Sequence, residues 1–63
     1  MSLKEYHRHV VMIITVDGKS FLGCISDYFF PDDNEDNLES IVMTTSSGMI
    51  EFKANDIETI QII

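Results

Sequence analysis

The sequence predicts an all-β fold, a small barrel of five short strands. Three observations predict it. A stretch rich in β-branched residues folds back on itself at Val16-Asp17-Gly18-Lys19, a second glycine turn lies at Ser46-Ser47-Gly48, and Pro31 with an acidic loop parts the second strand from the third. Sixty-three residues make one domain, 1–63, with residues 1–9 as a flexible or short helical N-terminus. A chain of this size buries only about 60% of the surface its unfolded form exposes. With Cys24 as the single cysteine, no intrachain disulfide can supply the missing stability, so self-association is expected to do so.

Each element has its own signal. Ser2-Leu3-Lys4-Glu5 has the Ser-x-x-Glu spacing of a capping box, which predicts one or two helical turns that hold only if packed on the barrel. Val10 to Val16, VVMIITV, lacks clean alternation and reads as a strand covered on both faces. Asp17-Gly18 then predicts a tight primed turn, for which glycine reaches positive φ without steric cost. The second strand, Lys19 to about Phe30, sets Phe21, Gly23 and Ile25 on one face and Leu22, Cys24 and Ser26 on the other. Gly23, mid-strand, marks a sharp bend or a close backbone approach.

After Pro31, the run Asp32-Asp33-Asn34-Glu35-Asp36-Asn37 is a solvated acidic loop. Leu38 to Thr45 is the third strand, with Ile41 and Met43 on one face and Val42 and Thr44 on the other. Ser46-Ser47-Gly48 is a three-residue hairpin loop with glycine in the left-handed position. Met49 to Ala54 alternates as the fourth strand, with Ile50 and Phe52 inward. Asn55 to Thr59 reads as a single helical or 3₁₀ turn capped by Asn55 or Asp56, and Ile60 to Ile63 as a last short strand.

Five strands with a 3₁₀ turn before the last describe an SH3-like or Sm-like barrel. The expected core is Val10, Met12, Ile14, Phe21, Ile25, Ile41, Met43, Ile50, Phe52, Ile57 and Ile60. Val11, Ile13, Leu22, Val42, Met49, Phe29 and Phe30 are left over, an apolar surplus that points to an interface.

At the hairpin the sequence resembles the Sm and Sm-like (LSm) proteins. Their first motif matches Val16-Asp17-Gly18-Lys19-Ser20-Phe21-Leu22-Gly23-Cys24-Ile25-Ser26-Asp27, a moderately specific likeness that covers about a third of the chain with the elements around it. The resemblance implies a ring of subunits joined through the fourth and fifth strands, binding single-stranded RNA in its central hole. Asp27 carries over. The family's base-holding Asn does not, because Tyr28-Phe29-Phe30-Pro31 stands in its place and Asn34 is the nearest asparagine; in the second motif Ser47-Gly48 keeps the glycine without a basic partner. The candidate ligand or partner surface is therefore Asp27, Tyr28, Phe29, Phe30, Asn34 and Gly48, with bases stacking on the rings as one use of the aromatic run.

Charge and chemistry narrow the classes. Eleven acids against four bases give a net charge of −7, which repels a polyphosphate at long range. An RNA reader would have to gather Lys4, Arg8, Lys19 and Lys53 on one rim, whereas a protein binder need not. His7 and His9, at i and i+2 of a strand, would share a face, yet two imidazoles without a third ligand make a poor zinc site. Asp32, Asn34 and Asp36 have the first ligand spacings of a calcium loop, but Asn37 replaces its glycine and Met43 its bidentate Glu. No metal and no cofactor are expected. Cys24 is a packing residue without an activating neighbour, and no nucleophile elbow or phosphate loop occurs, so an enzyme is not expected. No stretch is long enough to span a membrane and no signal peptide precedes the first strand, which makes the cytoplasm the expected compartment. The expectation is a self-associating binding module for single-stranded RNA. The alternative is an SH3-like module that binds protein through its aromatic end and acidic loop.

Overall fold

The computed structural model describes residues 2–63. A 3₁₀ turn, Leu3–Tyr6, precedes β1 (Val10–Thr15) and β2 (Ser20–Phe29); a second, Pro31–Asp33, leads to β3 (Ser40–Thr45) and β4 (Gly48–Lys53); a third, Ala54–Asp56, leads to β5 (Ile57–Ile62). All strands are antiparallel in one sheet of order β4-β3-β2-β1-β5. The fold is all-β, as the turn signals predict. The expected closure into a barrel is not made, because β4 and β5 do not pair and form the two edges of an open, bent sheet. The cause lies in the third 3₁₀ turn. Ala54 N–H donates to Glu39 O at 2.9 Å and Asp56 O accepts from Val16 N–H at 2.9 Å, so the turn carries the chain across the mouth and sets β5 on β1.

The core lies on the concave face, under the N-terminal turn. Ile25, Ile41, Met43 and Phe52 are buried as expected, and Phe21, Ile50, Ile57 and Ile60 pack at the margin. The faces of β1 are the reverse of the expectation. Val11 and Ile13 are buried at 0% exposure, whereas Val10 and Ile14 stand outside at 48% and 38% and Met12 is half-buried. A run that is apolar at every position has no alternation to fix its phase; the phase comes from its neighbours, Gly23 and Ile62 opposite Val11 and Phe21 and Ile60 opposite Ile13. Nor is the outer face of β1 covered. The N-terminal turn instead seals the inner face, where it buries Leu3 and Tyr6.

The hairpin turns differ in type from those expected. Gly18 N–H donates to Thr15 O at 2.9 Å and Thr15 N–H to Lys19 O at 2.8 Å, with positive φ only at Gly18 (+88°). That is a three-residue loop in which glycine follows an ordinary turn, and no primed pair is needed. At the other hairpin β4 already starts at Gly48, paired with Thr45, so the loop is Ser46-Ser47 alone, held by Thr45 Oγ1 accepting from Ser47 N–H at 3.1 Å. Gly23 is a close approach: a Cβ there would lie 2.4 Å from Thr44 O and 2.7 Å from Met43 Cγ. Just beyond it the β2–β3 register shifts between Ile25 and Asp27, a bulge that bends the long strand. β3 begins two residues later than expected and β5 three earlier.

Candidate functional site

The six candidate residues do not form one surface. Tyr28 lies opposite Ile41 on the inner face, and Phe29 lies opposite Ser40 on the outer one, so strand alternation splits the aromatic run. Gly48 sits at the far end of the β3–β4 ladder, five residues along from the Ser40–Lys53 pair that ends at Phe29, or about 16 Å of strand. Asp27 is exposed opposite Val42.

What the structure does bring together is an aromatic end fastened by Glu39. Phe30, 51% exposed, and Tyr28 pack edge-to-face with centroids 5.1 Å apart, and Lys4 Nζ lies over the Phe30 ring, 5.2 Å from its centroid. The Tyr28 hydroxyl donates to Glu39 Oε1 at 3.0 Å, and the same oxygen accepts from Leu3 N–H at 2.9 Å and Ser2 Oγ at 3.3 Å. Partial removal from water raises the Tyr28 phenol above its ordinary pKa, opposed by Ser2 and reinforced by the Glu39 carboxylate. Sequence reasoning missed Glu39, although a signal was there. It stands in phase with Ile41 and Met43, the inward positions of β3, and an acid on an inward phase must find donors.

The acidic loop is braced internally. Asn34 Nδ2 donates to Leu38 O at 2.7 Å and to Ser40 Oγ at 3.1 Å, which satisfies the fully buried Ser40. Asp36 accepts from Leu38 N–H at 3.1 Å and pairs with Lys53 Nζ at 3.5 Å. Asn34 and Asp36 are thus committed to the loop and do not converge as calcium ligands would. His7 and His9 do not share a strand face either, because both precede β1 and Arg8 between them turns the chain at φ +73°. Among the described residues no three His, Cys, Asp or Glu side chains converge.

A second feature is the gap between the β1–β2 hairpin and β4 with the third 3₁₀ turn. A depression of about 350 Å³ there is lined by the hairpin residues Val16, Asp17 and Lys19 on one side and by Glu51, Phe52 and Asp56 on the other, with Phe21 and Phe52 packed edge-to-face at its base. Thr15 Oγ1 donates to the Asp17 carboxylate, and this bond above all, with Lys19 nearby, holds Asp17 below its ordinary pKa. Of the four cations, Lys19 faces Asp17 at 3.9 Å and Lys53 faces Asp36 and Glu51 at 3.5 and 3.9 Å.

The third feature is the outer sheet face. Met12 lies opposite Leu22 and Gln61, Ile14 opposite Ser20 and Thr59, and Val10 opposite Cys24, so side chains of three adjacent strands share one side. Thr44 and Met49 continue it across β3 and β4. Leu22 and Met49 are 55% and 73% exposed. No helix among the described residues is long and apolar enough to cross a membrane. Compared with models of protein families, with curated proteins and with solved structures, the chain matches none.

Proposed function

We propose that the chain is a non-enzymatic interaction module that joins copies of itself edge to edge, as its resemblance to the Sm-like proteins implies. The observation that carries this is the pair of free edges. β4 and β5 are each six residues long, carry no proline and lie at opposite ends of one open sheet. An open edge presents unpaired N–H and C=O groups, and natural proteins rarely leave two of them without a partner. The β4 of one copy against the β5 of the next is a head-to-tail contact, which closes into a ring when the rotation allows.

The ligand of that assembly is a protein surface. Two of the four cations already face carboxylates, and the net charge of −7 opposes a polyphosphate. Single-stranded RNA is the second reading, favoured by the displayed rings of Phe29 and Phe30 with Lys4 beside them.

Light scattering over a dilution series tests the assembly, with five to seven subunits expected and a stable monomer overturning the ring. The β5 edge offers a directed variant. Ile63 N–H donates to Val10 O, so by ladder alternation the N–H of Ile62 points to the free side. Ile62→Pro removes that outward donor and should dissociate the ring. Retention of single-stranded RNA at low salt, where phosphate contacts are strongest, would replace the protein reading with the RNA one.

A further inference from the structure

Asp17 is the one aspartate of the chain that glycine follows. At such a step the backbone nitrogen of the glycine can attack the aspartate's own carboxyl carbon, because no Cβ shields it. The N–Cγ bond forms, the carboxyl OH leaves with the amide hydrogen as water, and a five-membered succinimide results. Water then reopens the ring at either carbonyl. One opening gives back aspartate; the other, at the main-chain carbonyl, gives an isoaspartate whose backbone runs through Cβ. Water is the only co-reactant. The Asp17 side chain is 61% exposed, and nothing lies within 4 Å of a Cβ placed on Gly18, so packing does not obstruct the ring.

Two hydrogen bonds hold the reacting groups, and both end on Thr15. Gly18 N–H, the nucleophile, donates to Thr15 O at 2.9 Å, and Thr15 Oγ1 donates to the Asp17 carboxylate, the electrophile. The amide nitrogen attacks only when its hydrogen is free to leave. The carboxyl carbon gives up an oxygen only from its protonated form, and the Thr15 bond, with Lys19 Nζ at 3.9 Å, keeps the group ionised. We infer that the hairpin turn is a latent isoaspartate site and that Thr15 restrains it through both of its oxygens. The restraint matters to the fold. The loop closes over three residues between Thr15 and Lys19, and within it Val16 N–H donates to Asp56 O at 2.9 Å, the bond that seats the third 3₁₀ turn. One more backbone carbon at Asp17 breaks that closure, so the modification releases the tie and loosens β5 from β1.

The rate is read by incubating the chain near neutral pH, digesting it and separating the aspartate and isoaspartate forms of the peptide that spans Asp17. The folded chain should isomerise at least about tenfold more slowly than the same chain in urea. Thr15→Val keeps the β-branched shape and removes the hydroxyl. It should raise the folded rate about fivefold, the factor worth one hydrogen bond, whereas Thr15→Ser should stay near the parent rate. Glu39→Ala weakens the fold away from the turn and so separates local restraint from global opening. Equal rates in the folded and the urea-unfolded chain overturn the inference. So does a Thr15→Val rate no higher than that of Thr15→Ser or of Glu39→Ala. Should Thr15→Val not fold, hydrogen exchange at the Gly18 amide of the unaltered chain takes its place: the amide should be protected, and free exchange overturns the restraint.

Discussion

At the scale of single residues, backbone geometry decides more than chemistry does. Gly23 has no room for a Cβ, since Thr44 O and Met43 would both stand inside van der Waals contact and the first of them is backbone. Gly23→Ala should cost at least about 2 kcal/mol, read as a fall in the urea midpoint at constant slope. Gly18→Ala tests a different cause. Nothing lies within 4 Å of that Cβ, and the cost of about 1–2 kcal/mol is the left-handed backbone alone. Tyr28 contributes to the pH dependence of stability on the alkaline side. Its folded pKa is raised above the ordinary 10.0, so the folded state keeps the proton that the unfolded state gives up. The stability it contributes is complete below pH 10 and is lost as pH rises through the folded value. Urea midpoints followed from pH 8 to 11.5 should fall less steeply in Tyr28→Phe.

At the scale of elements, the N-terminal turn is held by two forces that can be separated. Leu3 and Tyr6 bury apolar surface, and Glu39 Oε1 gathers three donors, one of them the backbone of Leu3. Glu39→Ala should cost about 1–3 kcal/mol and expose the Leu3 amide to hydrogen exchange. If that amide stays protected, burial alone docks the turn. The elements differ in how plainly they were written. β3 and β4 alternate, so Ile41, Met43 and Phe52 could be assigned inward from the sequence. VVMIITV could not be phased, because each of its two registers is apolar and the choice between them is made by its neighbours, β2 across the hairpin and β5 far along the chain. The aromatic run was legible as a feature but not as a surface, since alternation sends Tyr28 and Phe29 to opposite faces. Asn34 was legible as a loop residue, whereas its role under Ser40 depends on a buried hydroxyl that composition does not reveal.

At the scale of the whole molecule, charge and topology set the conditions for stability. The ion pairs of Lys19 and Lys53 lie at or near the surface and are worth at most about 1 kcal/mol each, while a net charge of −7 repels itself throughout. Raising ionic strength from about 0.01 to 0.15 M should therefore raise the melting temperature, and a fall would show that the pairs outweigh the repulsion. The pairing of β1 with β5 has a consequence for partial opening. β1 and β5 lie at opposite ends of the chain, and until β5 is in place the flank of β1 on which Val10 O accepts from Ile63 N–H has no hydrogen-bonding neighbour. Whenever β5 is detached, the most apolar strand of the sheet is therefore a raw edge, open to the wrong neighbour.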